Sequence, residues 1–149
     1  MLANYMFISC WTESKEENIP LWKMYTTDIT KGIRISLPQE MFKTYSPIPN
    51  GRYVKNQISE SLVPVDEILN SDYMVMPIDL SRDKENEIFF RHIEYVRNPQ
   101  IAVGKIKKTE YNRGNLYDVL EINRLGRYKH KCWEFQQEVR FALTIFPVN

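Results

Sequence analysis

Between Trp133 and Ile145, near the end of the chain, residues alternate in a way that admits few folds. Trp133, Phe135, Val139, Phe141, Leu143 and Ile145 fall on one side of an extended strand. Glu134, Gln136, Glu138, Arg140, Ala142 and Thr144 fall on the other. Successive side chains of a strand point to opposite faces, so this pattern predicts a strand with one apolar face and one polar face. A slip by one residue would bury the charges, which fixes the register.

A second strand is predicted at Tyr5–Trp11, an apolar and aromatic run. Pro20 suits the first position of a short helix carrying Leu21, Trp22, Met24 and Tyr25. Gly32 precedes Ile33–Leu37, whose alternation predicts another strand. Pro38–Tyr45 reads as a short helix, and Pro47, Pro49 and Gly51 mark a turn. Tyr73–Leu80 is strand-like, though Pro77 places it at an edge. Glu87–Val96 reads as one longer strand. Leu116–Tyr128 reads as a helix with Asn115 as its N-cap. Strands outnumber helices, which predicts an α+β fold, mostly antiparallel with short peripheral helices. A chain of 149 residues without repeat or linker fits a single domain over 1–149.

Counting residues removes several functions. Twenty Lys and Arg against 19 Asp and Glu leave the chain nearly neutral, which argues against a dedicated nucleic-acid binder. Five glycines give no Gly-rich phosphate loop. Cys10 and Cys132 with two histidines, none in a metal-ligand spacing, predict no metal site and no disulfide scaffold. Both cysteines lie in apolar or aromatic stretches and read as buried free thiols. No apolar run has the length of a membrane span, and the start lacks a signal-peptide pattern, so the expectation is a cytoplasmic domain with no membrane partner.

Three groups of residues could carry chemistry. On an extended strand, Gln136, Glu138 and Arg140 would project the same way, about 6.5–7 Å apart. A carboxylate beside a guanidinium stays ionised, and an amide can bond a sugar hydroxyl. Such a set can stabilise positive charge developing on a ribose; the same residues equally suit a solvated face with a surface ion pair. The hydroxyls of Ser9 and Thr12 lie near a strand end, while Trp22 and Tyr25, three apart on a helix, could stack a flat ring or fill the core. Arg124, Arg127, Lys129 and Lys131 could meet phosphate or mark a solvated helix end.

The segments Phe7–Thr12, Leu21–Tyr25 and Gly32–Ser36 together resemble the central block of the bacterial domain of unknown function family 2971. The strand through His92–Tyr95 is similar to that family's Val-x-Tyr strand. Its closing block is similar to Lys129-His-Lys-Cys-Trp133 running into Gln136-Gln-Glu-Val-Arg140. The resemblance spans residues 5 to 145 in order. Family members usually carry an upstream segment with an Asn-Asp-Pro motif, absent here, and have Glu where this chain has Gln136. An apolar patch is therefore expected at Tyr5–Trp11, where that segment or a protein partner would pack.

Members of that family are similar in layout to small ADP-ribosyltransferase-like domains and occur as candidates in phage-defence and toxin settings. The resemblance implies NAD as substrate, of an ADP-ribosyltransferase or an NAD hydrolase. Glu138 and Gln136 would be catalytic, Glu138 stabilising an oxocarbenium-like state. Ser9, Thr12, Trp22, Tyr25 and Arg140 would bind substrate. Two alternatives stay open: a non-catalytic protein-interaction module on the same fold, and an RNA-contacting effector using Arg124 to Lys131.

Overall fold

Ten residues near the C-terminus organise the chain. They form a strand flanked on both sides and covered on both faces. The computed structural model describes residues 2–28, 30–45, 61–68, 72–76 and 87–148. Strand β8 (Glu138–Pro147) pairs antiparallel along its first seven residues with β1 (Met6–Thr12), from Thr12↔Glu138 to Met6↔Thr144. Its other edge pairs antiparallel with β3 (Phe90–His92) and, further along, with β2 (Tyr73–Val75). Among the described residues there are smaller pairings too. They are a parallel pair of β4 (Glu94–Val96) with β7 (Tyr128–His130), and a hairpin of β5 (Lys107–Asn112) with β6 (Asn115–Leu120). The helices among the described residues are short: α1 (Ile19–Tyr25), α2 (Val65–Ile68) and α3 (Pro99–Ile106). The fold is α+β and mostly antiparallel, as the sequence predicts.

The alternation along β8 separates its two faces. On the apolar face Phe141 meets Phe42, Phe89 and Phe90, with ring centroids 4.8, 5.2 and 5.1 Å away. Trp11, Met41, Leu62 and Leu143 pack around this cluster. Tilted and edge-on rings at such separations add to the burial of their surface. On the polar face Cys10, Arg140 and Arg91 stand opposite one another across β1, β8 and β3. Two guanidiniums on facing positions repel. Here both turn into the layer above: Arg91 donates to Leu125 O at 2.6 Å, and Arg140 to Gly126 O at 2.6 Å. Gly126 has φ +70°, and a Cβ there would lie 2.9 Å from Ile8 Cδ1, so the turn needs glycine twice over.

Both proline-led helices begin at an asparagine cap. Asn18 Oδ1 accepts from Leu21 N, and Asn98 Oδ1 accepts from Gln100 N.

Several expectations need correction. The polar–apolar alternation does not form one strand. Lys131–Gln136 wind into a 3₁₀-helix, which His130 caps by accepting from Cys132 N. Gln137, at φ 42°, turns the chain into β8. Trp133 and Phe135 therefore pair with each other, centroids 6.0 Å apart, outside the sheet. Leu116–Tyr128 is not a helix, and Asn115 is no cap. Arg113 (φ 48°) and Gly114 (φ 85°) make a two-residue turn of the type that matches strand twist, so a hairpin forms instead. Glu87–Val96 breaks at Ile93 into β3 and β4. Ile33–Leu37 pairs with no strand among the described residues, and Pro38–Tyr45 forms no helix, ending in a bridge of Tyr45 to Ser61. The predicted turn at Pro47–Gly51 and the half-strand Pro77–Leu80 lie outside the described residues. No helix among the described residues is long and apolar enough to cross a membrane.

Candidate functional site

At the start of β8 the polar face holds a charge cluster under cover. Glu138 is 7% exposed and Gln136 2%. Both carboxylate oxygens are engaged: Oε2 accepts from Lys129 Nζ at 2.6 Å, and Oε1 from Arg140 Nε at 2.5 Å. Lys129 Nζ also donates to Gln136 Oε1 and stands 5.2 Å from the centre of the Trp133 ring. The Tyr95 hydroxyl accepts from Glu138 N at 2.8 Å. Burial alone would raise the pKa of Glu138. The hydrogen bonds from Lys129 and Arg140, with the Arg140 charge, outweigh it and hold the carboxyl below its ordinary range. Cys10, facing this group across the β1–β8 pair, shows the complement. Although part of the residue is exposed, partial desolvation, its bond to Glu138 and the Glu138 charge push its thiol up, against the pull of Arg140 and Lys129.

Beside the cluster opens a cleft of about 830 Å³. Its walls include Thr12, Trp22, Tyr25, Gln136 and Glu138, five of the seven residues singled out from the sequence. Helix α1 carries the aromatics. Tyr25 is 72% exposed, whereas Trp22 is fixed, its Nε1 donating to Glu17 at 2.6 Å. A Cβ at Gly32 would come within 2.4 Å of the Trp22 ring, so the glycine is required by that close approach. Thr12 ties the end of β1 to the turn before β8 by donating to Gln136 O at 2.6 Å. Asn18 joins α1 to the same turn through Phe135 O.

Two of the seven lie elsewhere. Ser9 occupies the opposite face of β1, where its Oγ accepts from Trp11 Nε1 at 2.9 Å and borders a smaller apolar groove. Arg140 backs Glu138 from behind, outside the cleft wall. Gln136 and Glu138 do come together, but not by strand periodicity. One ends a 3₁₀-helix, the other begins a strand, and Lys129 joins them.

Cys10, Lys129 and Tyr95 were missed by sequence reasoning. Period two along β1 could have placed Cys10 with Thr12, had its register with β8 been known. Lys129 belongs to the basic group whose sequence suits either a phosphate contact or a solvated helix end, and the structure dissolves that group. Arg127 pairs with Glu87, Arg124 reaches Tyr128 and Glu94, and Lys131 pairs with Glu134. The cysteines are free but exposed, because β1 is an edge strand and Cys132 begins a surface turn. Among the described residues no group of three or more His, Cys, Asp and Glu could hold a metal. No family model matches the chain, nor does any curated protein or solved structure.

Proposed function

We propose that the chain is an NAD-using ADP-ribosyltransferase-like domain of a bacterial or phage conflict system, with its chemistry at Glu138. One observation carries the reading: a buried, ionised carboxylate lies in the wall of an aromatic-lined cleft large enough for a dinucleotide. Its roughly 830 Å³ falls in the range of about 300–1,000 Å³ usual for ligand sites. Cleavage of the nicotinamide–ribose bond develops positive charge on the ribose. A fixed carboxylate with little water around it stabilises that charge without reorganising. Tyr25 and Trp22 supply faces for a flat ring, and Gln136 an amide for a ribose hydroxyl.

Calorimetry with NAD, beside a nicotinamide-release assay, tests this. Micromolar binding weakened in Tyr25→Ala, with release reduced about 10²–10³-fold in Glu138→Gln, is the expected result. Absence of binding and release in the unaltered chain would sink the proposal.

A second reading is favoured by the edge of the sheet. Phe7 is 59% and Ile8 41% exposed on β1, and both oxygens of Glu138 are already occupied. A non-catalytic protein-interaction module has use for the first and no quarrel with the second. Unaltered partner binding in Glu138→Gln, lost on Phe7→Ser, would favour it.

A further inference from the structure

The proposed chemistry asks for an amide and a carboxylate held at fixed orientation, yet the backbone does not supply it. Gln136 sits at the C-terminal end of a 3₁₀-helix, and the left-handed Gln137 separates it from the first residue of β8. The two side chains share one neighbour able to set both. Lys129 Nζ donates to Gln136 Oε1 and to Glu138 Oε2, and it is itself held over the Trp133 ring. Arg140 cannot do this work: it contacts Oε1 of Glu138 and spends its Nη1 on Gly126 O, with no bond to Gln136. With the amide oxygen committed to an ammonium, the amide nitrogen must point the other way. It faces the Met24 Sδ on α1 at 3.8 Å, a weak acceptor that a better one can displace.

We propose that Lys129 is the positioning residue of the cleft, one ammonium that fixes the flip of the Gln136 amide and the rotamer of the Glu138 carboxylate. It aims donors from the first and negative charge from the second. The proposal rests on reading the cleft as a site of chemistry, and it adds a specific division of labour to that reading. Arg140 holds Glu138 Oε1 from behind, while Lys129 couples Oε2 to Gln136. Lys129 touches no substrate in this scheme. A lysine suits the task because its ammonium is a compact charge with three donors, enough for two oxygens and a ring face.

The test follows the Glu138 carboxyl by carbon NMR in protein labelled at glutamate side chains, with its signal assigned by loss in Glu138→Gln. Nicotinamide release from NAD is measured on the same samples. In Lys129→Met the Glu138 signal should titrate at higher pH, and release should fall about 10²-fold in kcat with KM little changed. Lys129→Arg, which keeps charge and donors, should return the titration most of the way. A folded Lys129→Met whose Glu138 titration does not move overturns the proposal. So does a moved titration with unchanged kcat. Should Lys129→Met not fold, Lys129→Gln removes the charge with hydrogen bonding kept, and the same two readouts decide. If even the unaltered chain releases no nicotinamide, the proposed function fails while the titration still decides whether Lys129 governs Glu138.

Discussion

Ion pairs occur in two contrasting regions of this molecule. On the hairpin of β5 and β6, Lys107 meets Asp118 at 2.7 Å and Lys108 meets Glu121 at 2.7 Å, with side chains between 30% and 52% exposed. At the start of β8, Lys129 and Arg140 meet Glu138 at 2.6 and 2.5 Å, and the Glu138 side chain is 6% exposed. The distances are nearly the same. What differs is the water. In the hairpin, either partner can lose the other and be rehydrated, so the pairs are screened and weak. In the cluster, removing one partner strands charges that water reaches poorly, with the Lys129 side chain 23% and the Arg140 side chain 16% exposed, so the group stands or falls together. Close geometry alone therefore says little about what an ion pair is for.

The sharpest way to break the comparison is to remove the common partner. Glu138→Ala leaves the ammonium of Lys129 and the guanidinium of Arg140 facing each other. The expected loss is about 3–5 kcal/mol in urea unfolding, the usual cost of breaking a buried pair. A loss no larger than that of an exposed pair would mean that water enters the cluster freely.

A second, smaller effect should appear in the pH dependence of stability. The folded pKa of Glu138 lies below its unfolded value, so the unfolded state takes up the proton first as pH falls. Its contribution is complete above the unfolded value of about 4.3 and is lost as pH drops through the lower folded value. Cys10 acts at the other end. Its folded pKa is raised, so its contribution is complete below the unfolded thiol value and is lost as pH rises through the folded one. Glu138→Gln should flatten the acid limb and shorten the alkaline one only in part, since burial is the larger cause of the Cys10 rise and the bond and charge of Glu138 come after it. Denaturant midpoints measured from pH 3 to 10 would sever the two limbs if Cys10 and Glu138 were independent.

How much of this could be read beforehand depends on the range of the interaction. The strands β1 and β8, the Pro20 helix and the α+β class follow from short periodic patterns, and they were legible. The α1 wall of the cleft was legible too, because Trp22 and Tyr25 are brought together by helical spacing alone. What failed were choices that local pattern leaves balanced. Lys131–Gln136 alternates like a strand, but the His130 cap and the left-handed Gln137 decide for a 3₁₀-helix. Leu116–Leu120 resembles a helix start until Arg113 and Gly114 adopt positive φ. The role of Lys129 was hidden for another reason. It requires β7 to lie above β8, and β7 is placed by a parallel pairing with β4 more than thirty residues away in sequence.

The exposed side of the comparison yields the smallest effect, and it is a useful one. Asp118 accepts from both Lys107 and Thr109, and these bonds lower its pKa, so by geometry it is as well served as Glu138. Yet all of β5 is exposed, and β6 is exposed at every residue but Val119. Asp118→Asn should leave the denaturation midpoint unchanged within error, at low salt and at high. The register of the hairpin should also survive, because the Arg113–Gly114 turn sets it rather than the charge. A clear loss of stability in Asp118→Asn would imply that the hairpin is covered in solution by something with a low dielectric, such as another protein surface. The contrast between the two regions would then lie in which face has found its cover, and no longer in burial within the chain.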